Sequence, residues 1–129
     1  MEFDNSQPIW RQLVAEFSRR IAVGQWPAGQ RIAGVRELAV DLGVNPNTVQ
    51  RALAELEREQ LVHSERTSGR FATDDRQAIG RLRFERAAAA ADEYIDRVTG
   101  FGMTRTDAVD LIKTRWTDDN TDDATAEGA

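Results

Sequence analysis

No cysteine occurs in the 129 residues of this chain. That absence excludes disulfides, thiolate zinc sites and thiol catalysis together, and leaves stability to packing. Histidine occurs once, at His63. One imidazole is too little for a His-based triad or a metal site, and its ordinary reading is a polar strand residue. No apolar run approaches the roughly 18 residues of a membrane helix, and the opening MEFDNSQP lacks the basic start and apolar stretch of a secretion signal. Cytoplasm is the expected location, with no membrane partner. The sequence also has no glycine-rich phosphate loop, no nucleophile elbow and no His/carboxylate cluster. Neither enzyme activity nor a cofactor is expected. The acid pairs Asp118-Asp119 and Asp122-Asp123 lack the alternating spacing and the glycine of a calcium loop.

What is present is a soluble composition, 40% hydrophobic and 30% charged, which can bury the core of one ordinary domain or of a small domain with an appendage. The net charge of -5 looks hostile to a polyanion, so its location matters more than its sum. Residues 1–73 hold nine basic and nine acidic side chains, residues 74–116 hold eight of each, and residues 117–129 hold five acids and no base. The excess lies entirely in the closing TDDNTDDATAEGA, whose composition is that of a disordered, solvating tail. Nucleic acid is therefore not excluded as a partner.

Helical spacing runs from Pro8 to about Val23, with Ile9, Leu13, Phe17 and Ile21 supported by Trp10 and Val14, and Gly24 ends it. WPAG at 26–29 is a turn, and Ile32 is expected in a short extended segment. Val35 to Leu42 then makes a two-turn helix with Val35, Leu38, Ala39 and Leu42 inward, closed by Gly43. In VNPNTVQRAL, residues 44–53, Asn45 is a favoured N-cap and Pro46 fits the first helical position. The stripe Val49, Ala52, Leu53, Leu56 faces a core, so Asn47, Gln50 and Arg51 point outward.

Two short helices joined by a tight turn containing Gly form the helix-turn-helix pattern. The second of such helices enters the major groove by its first turns, where acids would meet phosphate and amide or guanidinium groups can meet base edges. The opening turn here is free of acid. The second half, with Glu55, Glu57, Arg58 and Glu59 and an expected end near Gln60, is too acidic to lie along DNA. Thr48 is expected to serve helix capping or a phosphate at the helix N-terminus. Gln50 and Arg51 could each contribute about 1 to 3 kcal/mol of base discrimination. Leu61 to His63 then lead into extended chain, Thr67-Ser68-Gly69 supplies a turn and Arg70-Phe71-Ala72 returns, which makes a wing. Arg66 and Arg70 near its tip suit phosphate or minor-groove contact, or in isolation merely solubilise an edge hairpin.

Beyond Asp74, Arg76 to Val98 is rich in helix formers, including the alanine run 87–91. GFGM breaks it, and Thr104-x-x-Asp107 resembles a capping box before a second helix. The alanine run would allow close helix approach, or reflects only high helix propensity. A two-helix hairpin cannot enclose its own core, so Tyr94, Ile95, Val98, Phe101, Met103, Ile112 and Trp116 are the expected contacts of a homodimer. Such a hairpin is also expected to be too small for a pocket of several hundred Å³ by itself, and any effector stays unnamed.

The stretch QPIWRQLVAEFSRRIAVGQWPAGQRIAGVRELAVDLGVNPNTVQRALAELEREQLVHSE, with the wing to Phe71, resembles the winged helix-turn-helix domain of the GntR superfamily of bacterial transcription regulators. The NPNTVQRA wording and the short two-helix C-terminal part are similar to its YtrA-type subfamily. The resemblance implies that Arg36 of the VREL motif touches the DNA backbone or a nearby base. It also implies that Asn47, Thr48, Gln50 and Arg51 open the recognition helix. The family's wing pattern of basic residue, Gly, any, Gly, Thr, Phe, Val falls on Arg66, Thr67, Ser68, Gly69, Arg70, Phe71 and Ala72. Thr67 stands in a glycine position and Arg70 in a threonine position. Ile32-Ala33-Gly34 replaces the usual Leu-Pro-Ser, which weakens the N-cap of the second helix.

The expected architecture is mainly α with a small β-wing: a winged helix-turn-helix at 1–74, a two-helix dimerisation hairpin at 75–116 and an acidic tail at 117–129. The expected function is a dimeric, sequence-specific DNA-binding regulator, a repressor of an inverted-repeat operator in its own promoter region. The resemblance further implies control of a transporter operon. The alternative is a winged protein-interaction module that lacks DNA readout.

Overall fold

The structure is a computed structural model that describes residues 1–117. The acidic stretch from Asp118 on lies outside the described residues. The elements in chain order are α1 (Ile9–Ala22), α2 (Val35–Leu42), α3 (Pro46–Arg58), β1 (Val62–Glu65), β2 (Gly69–Ala72), α4 (Arg76–Gly100) and α5 (Arg105–Arg115). None of these helices is long and apolar enough to cross a membrane. The chain divides into two compact units, one from Met1 to Arg86 and one from Ala87 on.

The first unit is built on the stripes expected from the sequence. Leu13, Phe17 and Ile21 of α1 and Val49, Ala52, Leu53 and Leu56 of α3 are all buried, with Leu38 and Ala39 of α2 closing the cluster. Burying each of the larger side chains contributes about 1.5 to 3 kcal/mol, so the α1–α3 contact dominates this core. Gly43 ends α2 in the left-handed region (φ 68°), and the Val44 N–H donates to the Ala39 carbonyl at 3.0 Å. That closure turns the chain within two residues and sets the start of α3. Gly34 precedes α2 without a side-chain cap, which is the weakened N-cap the sequence implied.

Helix α3 stops at Arg58 rather than near Gln60 because the chain closes in the same manner there. Gln60 takes φ 64°, and the Leu61 N–H donates to the Leu56 carbonyl at 2.9 Å. A Schellman closure usually holds glycine at this position, and the sequence gives no glycine to signal it. The wing follows, β1 pairing antiparallel with β2 in the register Val62↔Ala72 to Glu65↔Gly69. Arg31 adds an isolated bridge to Phe71, so the extended segment before α2 lies along the wing.

The first unit runs past the boundary expected after Asp74. Ile79 and Leu82 of α4 bury in its core, and Arg83 Nε donates to the Ala22 carbonyl at 3.2 Å. The first turns of α4 therefore belong to the helix-turn-helix body. In the second unit, α4 and α5 form the expected αα-hairpin. The Thr104 side chain accepts from the Asp107 N–H at 3.2 Å as the cap of α5, and the Tyr94 hydroxyl donates to the Ala108 carbonyl at 2.7 Å. Val98 and Ala108 are buried within this hairpin, whereas Ile95, Phe101, Ile112 and Trp116 are exposed.

Candidate nucleic-acid interface

The interface begins at the cap of α3. The Asn45 side-chain oxygen accepts from the Asn47 N–H at 2.8 Å, and Pro46 fills the first helical position without a donor to satisfy. With the cap supplied from outside the helix, the first turn needs no acid and has none. Asn47, Gln50 and Arg51 are exposed and Thr48 is half-buried. Arg36, on the exposed side of α2, lines a shallow depression with Val40, Val44 and Pro46.

Arg51 does not stand free in solvent. Its guanidinium carbon lies 4.1 Å from the centroid of the Trp10 ring, and Arg11 approaches the same ring at 5.4 Å. A guanidinium over an indole face gains about 0.5 to 2 kcal/mol and keeps its N–H edges outward. Trp10 thus gives the exposed Arg51 side chain a seat on α1. The sequence reading placed Trp10 only as a supporting apolar position of α1. Its meeting with Arg51 depends on the packing of α1 on α3, which no local pattern reports.

The wing contributes unequally. Arg66, Thr67, Ser68 and Gly69 are exposed at its tip. Gly69 adopts φ 103°, which strains any side chain, so the turn calls for glycine, and the Arg31 side chain lies close over its Cα. Arg70 instead turns back toward α3. Its Nε donates to Glu57 Oε1 at 2.6 Å and its Nη1 to Gln50 Oε1 at 3.3 Å. The Ser64 hydroxyl donates to the same Glu57 oxygen. The Ser64 hydrogen bond, then Arg70, holds the Glu57 carboxyl below its ordinary value, so Glu57 stays ionised as the anchor of the pair. His63 stacks on Phe71 with ring centroids 5.6 Å apart.

The acidic second half of α3 is paired within the protein. Glu55 binds Arg58, and that pair holds the Glu55 carboxyl below its usual range. Glu57 binds Arg70 and Ser64. Exposed on α2, α3 and the wing are Arg36, Asn47, Gln50, Arg51 and Arg66, together with the acids Glu37, Asp41 and Glu65. The cations among them are all arginines, whose planar forks suit bidentate contact with phosphate and with guanine.

In the second unit, Tyr94, Ile95, Val98 and Ile112 line an apolar groove of about 480 Å³, open to solvent. The hairpin alone thus carries a depression larger than its length suggested, because Ala91 and Ala108 are too small to fill the space between larger side chains.

A capped helix with exposed amide and arginine side chains, set after a short helix and a tight turn and followed by a two-stranded wing, defines a winged helix-turn-helix protein. Comparison with known proteins agrees. Residues 10–71 match the family described as bacterial regulatory proteins, gntR family. The HTH-type transcriptional regulator Rv1152 of Mycobacterium tuberculosis is 39% identical over 105 residues, covering 80% of this chain and 81% of the relative. The HTH-type transcriptional repressor YtrA of Bacillus subtilis is 34% identical over 71 residues, 55% of each chain. A GntR family transcriptional regulator from Listeria monocytogenes superposes with a TM-score of 0.82 at 33% identity, covering 88% of this chain and 100% of its own. The chain belongs to the GntR family and is a DNA-binding transcriptional regulator.

Proposed function

We propose that the protein is a cytoplasmic repressor that binds, as a homodimer, an inverted-repeat operator in its own promoter region. The observation that carries this reading is the acid-free first turn of α3, with Gln50 and Arg51 exposed and Arg51 set on Trp10. In this reading the N-terminal half of α3 enters the major groove, Asn47, Gln50 and Arg51 face base edges, and Asn45 and Thr48 sit where the helix N-terminus meets phosphate. Arg36 and the wing tip from Arg66 to Gly69 contact the flanking backbone.

Dimerisation is supported by the second unit, where Phe101 is 86% exposed and Trp116 58%. A soluble monomer gains nothing by keeping such side chains in water, whereas a second hairpin of the same sequence would cover them. A two-fold protein then matches a two-fold operator. Repression is supported by the YtrA relative, itself named a repressor, and the resemblance extends this to a neighbouring transporter operon as target.

Footprinting of the DNA upstream of the coding sequence, paired with a reporter driven by that promoter, tests the proposal. A protected site with two-fold symmetry and a reporter that rises when the protein is removed are expected. Protection without symmetry would refute the dimeric operator, and a reporter that falls would refute repression.

A further inference from the structure

Among the described residues the side chain with the most unexpected placement is Arg70. It sits on β2, with its side chain only 21% exposed, and it reaches α3 to join Glu57 to Gln50. Guanidinium has five N–H donors and no acceptor, so the end of the Gln50 amide that meets it must be the carbonyl oxygen. The amide N–H₂ is then the end left to face outward. Glu57, held also by Ser64, keeps Arg70 from rotating away.

An adenine edge in the major groove presents an acceptor and a donor, and an unencumbered glutamine meets both with its oxygen and nitrogen. A guanine edge presents two acceptors. With one lone pair of its oxygen engaged and that end of the amide drawn toward Arg70, Gln50 is turned to offer its N–H₂ ahead of its acceptor, which disfavours the paired contact with adenine. Beside it, Arg51 and the remaining N–H groups of Arg70 are donors only. The surface around Gln50 on the side of Arg51 and Arg70 is therefore rich in donors. We propose that Arg70 is a specificity-determining positioning residue: it holds the Gln50 amide with its N–H₂ end outward, so that this position of each half-site is read as guanine rather than adenine. The inference rests on the reading that the N-terminal half of α3 lies in the major groove. It assigns Arg70 to the recognition helix rather than to phosphate.

The experiment is selection of bound sequences from randomised DNA by the full-length protein and its variants, each first checked for native helicity by circular dichroism. Gln50→Ala locates the position that Gln50 reads, by flattening its preference. At that position the wild type is expected to select guanine over adenine by roughly fivefold or more, the lower end of one good base contact. Arg70→Met keeps the length and the apolar stem but has no donor, and is expected to move the preference toward adenine there and nowhere else. Glu57→Gln, which leaves Arg70 in place but loosens its anchor, is expected to shift the same position partway. Arg70→Lys, which retains a donor, should preserve guanine. Wild-type selection of adenine at the Gln50 position would overturn the proposal. So would an Arg70→Met variant that keeps guanine and weakens all sequences evenly with a salt slope smaller by about one, since that is the behaviour of a phosphate contact. If Gln50→Ala changes no position, the reading of α3 itself fails, and this inference fails with it.

Discussion

Replacing Trp10 with leucine isolates the part of DNA reading that comes from holding a side chain still. Leucine keeps an apolar body at this half-buried position of α1 but removes the ring on which the Arg51 guanidinium rests at 4.1 Å. Two consequences follow, and only the second weighs on binding. The cation–π attraction, about 0.5 to 2 kcal/mol, is lost in the free protein. Arg51 then gains rotamer freedom that binding must remove, a cost of up to about 1.5 to 2 kcal/mol. The first term frees Arg51 and the second charges it on binding, so the net loss of operator affinity should be about 1 to 2 kcal/mol, or roughly five- to thirtyfold. Fluorescence anisotropy with a labelled upstream fragment measures this, and Trp10→Phe should fall between wild type and leucine because benzene holds a cation less well than indole. A double-mutant cycle with Arg51→Ala tests the cause. Once Arg51 is absent, Trp10→Leu should change affinity little, which leaves a coupling of about 1 to 2 kcal/mol. If the two substitutions add without coupling, Trp10 acts through the stability of α1 and the positioning argument is refuted.

Three further outcomes follow from the structure. Gln60→Gly should raise stability by about 0.5 to 1 kcal/mol, because Gln60 holds φ 64° at the close of α3; an unchanged or lower denaturation midpoint would show that the Gln60 side chain compensates for its backbone. Glu16 is held down to about 2 from 4.5, chiefly by the Arg19 hydrogen bond and then by Arg20. Its contribution to stability is complete above about pH 4.5 and is lost as pH falls through about 2, so the Tm gap between wild type and Glu16→Gln should shrink over that window; a gap constant with pH would contradict the ion pairs. Phe101→Glu combined with Ile112→Glu should convert a dimer into a species of 14.4 kDa in sedimentation equilibrium, with weakened operator binding; a dimer that survives both charges places its contact elsewhere.

The sequence carried the local devices well. Asn45 before Pro46 marks a helix start because capping depends on neighbours in the chain, and Gly43 marks the turn because its backbone angle excludes most other residues. The stripes of α1 and α3 were legible for the same reason, since period alone selects the buried face. Features that depend on elements meeting in space were not. Trp10 finds Arg51 only when α1 packs on α3, and Arg70 turns inward only because Glu57 is within reach across the wing. A wing arginine read from sequence looks available to phosphate. Likewise Ile79 and Leu82 look like part of a helix with its own partners, yet they complete the core of the first unit. Val98 was expected at a contact between chains and is buried inside its own hairpin. Gln60 gave no signal because a left-handed residue other than glycine is imposed by its surroundings.

Competition binding separates sequence reading by the first turns of α3 from phosphate contact by the surrounding arginines. The protein would be offered its own upstream DNA against a scrambled fragment at about 50 and 200 mM salt, where phosphate contacts are strongly and weakly favoured. Wild type should prefer the upstream fragment, both affinities should fall with salt, and Arg51→Ala should lose the preference while retaining most of the salt dependence. Equal binding of the two fragments by the wild type, or a preference that survives Arg51→Ala, would contradict reading through this helix.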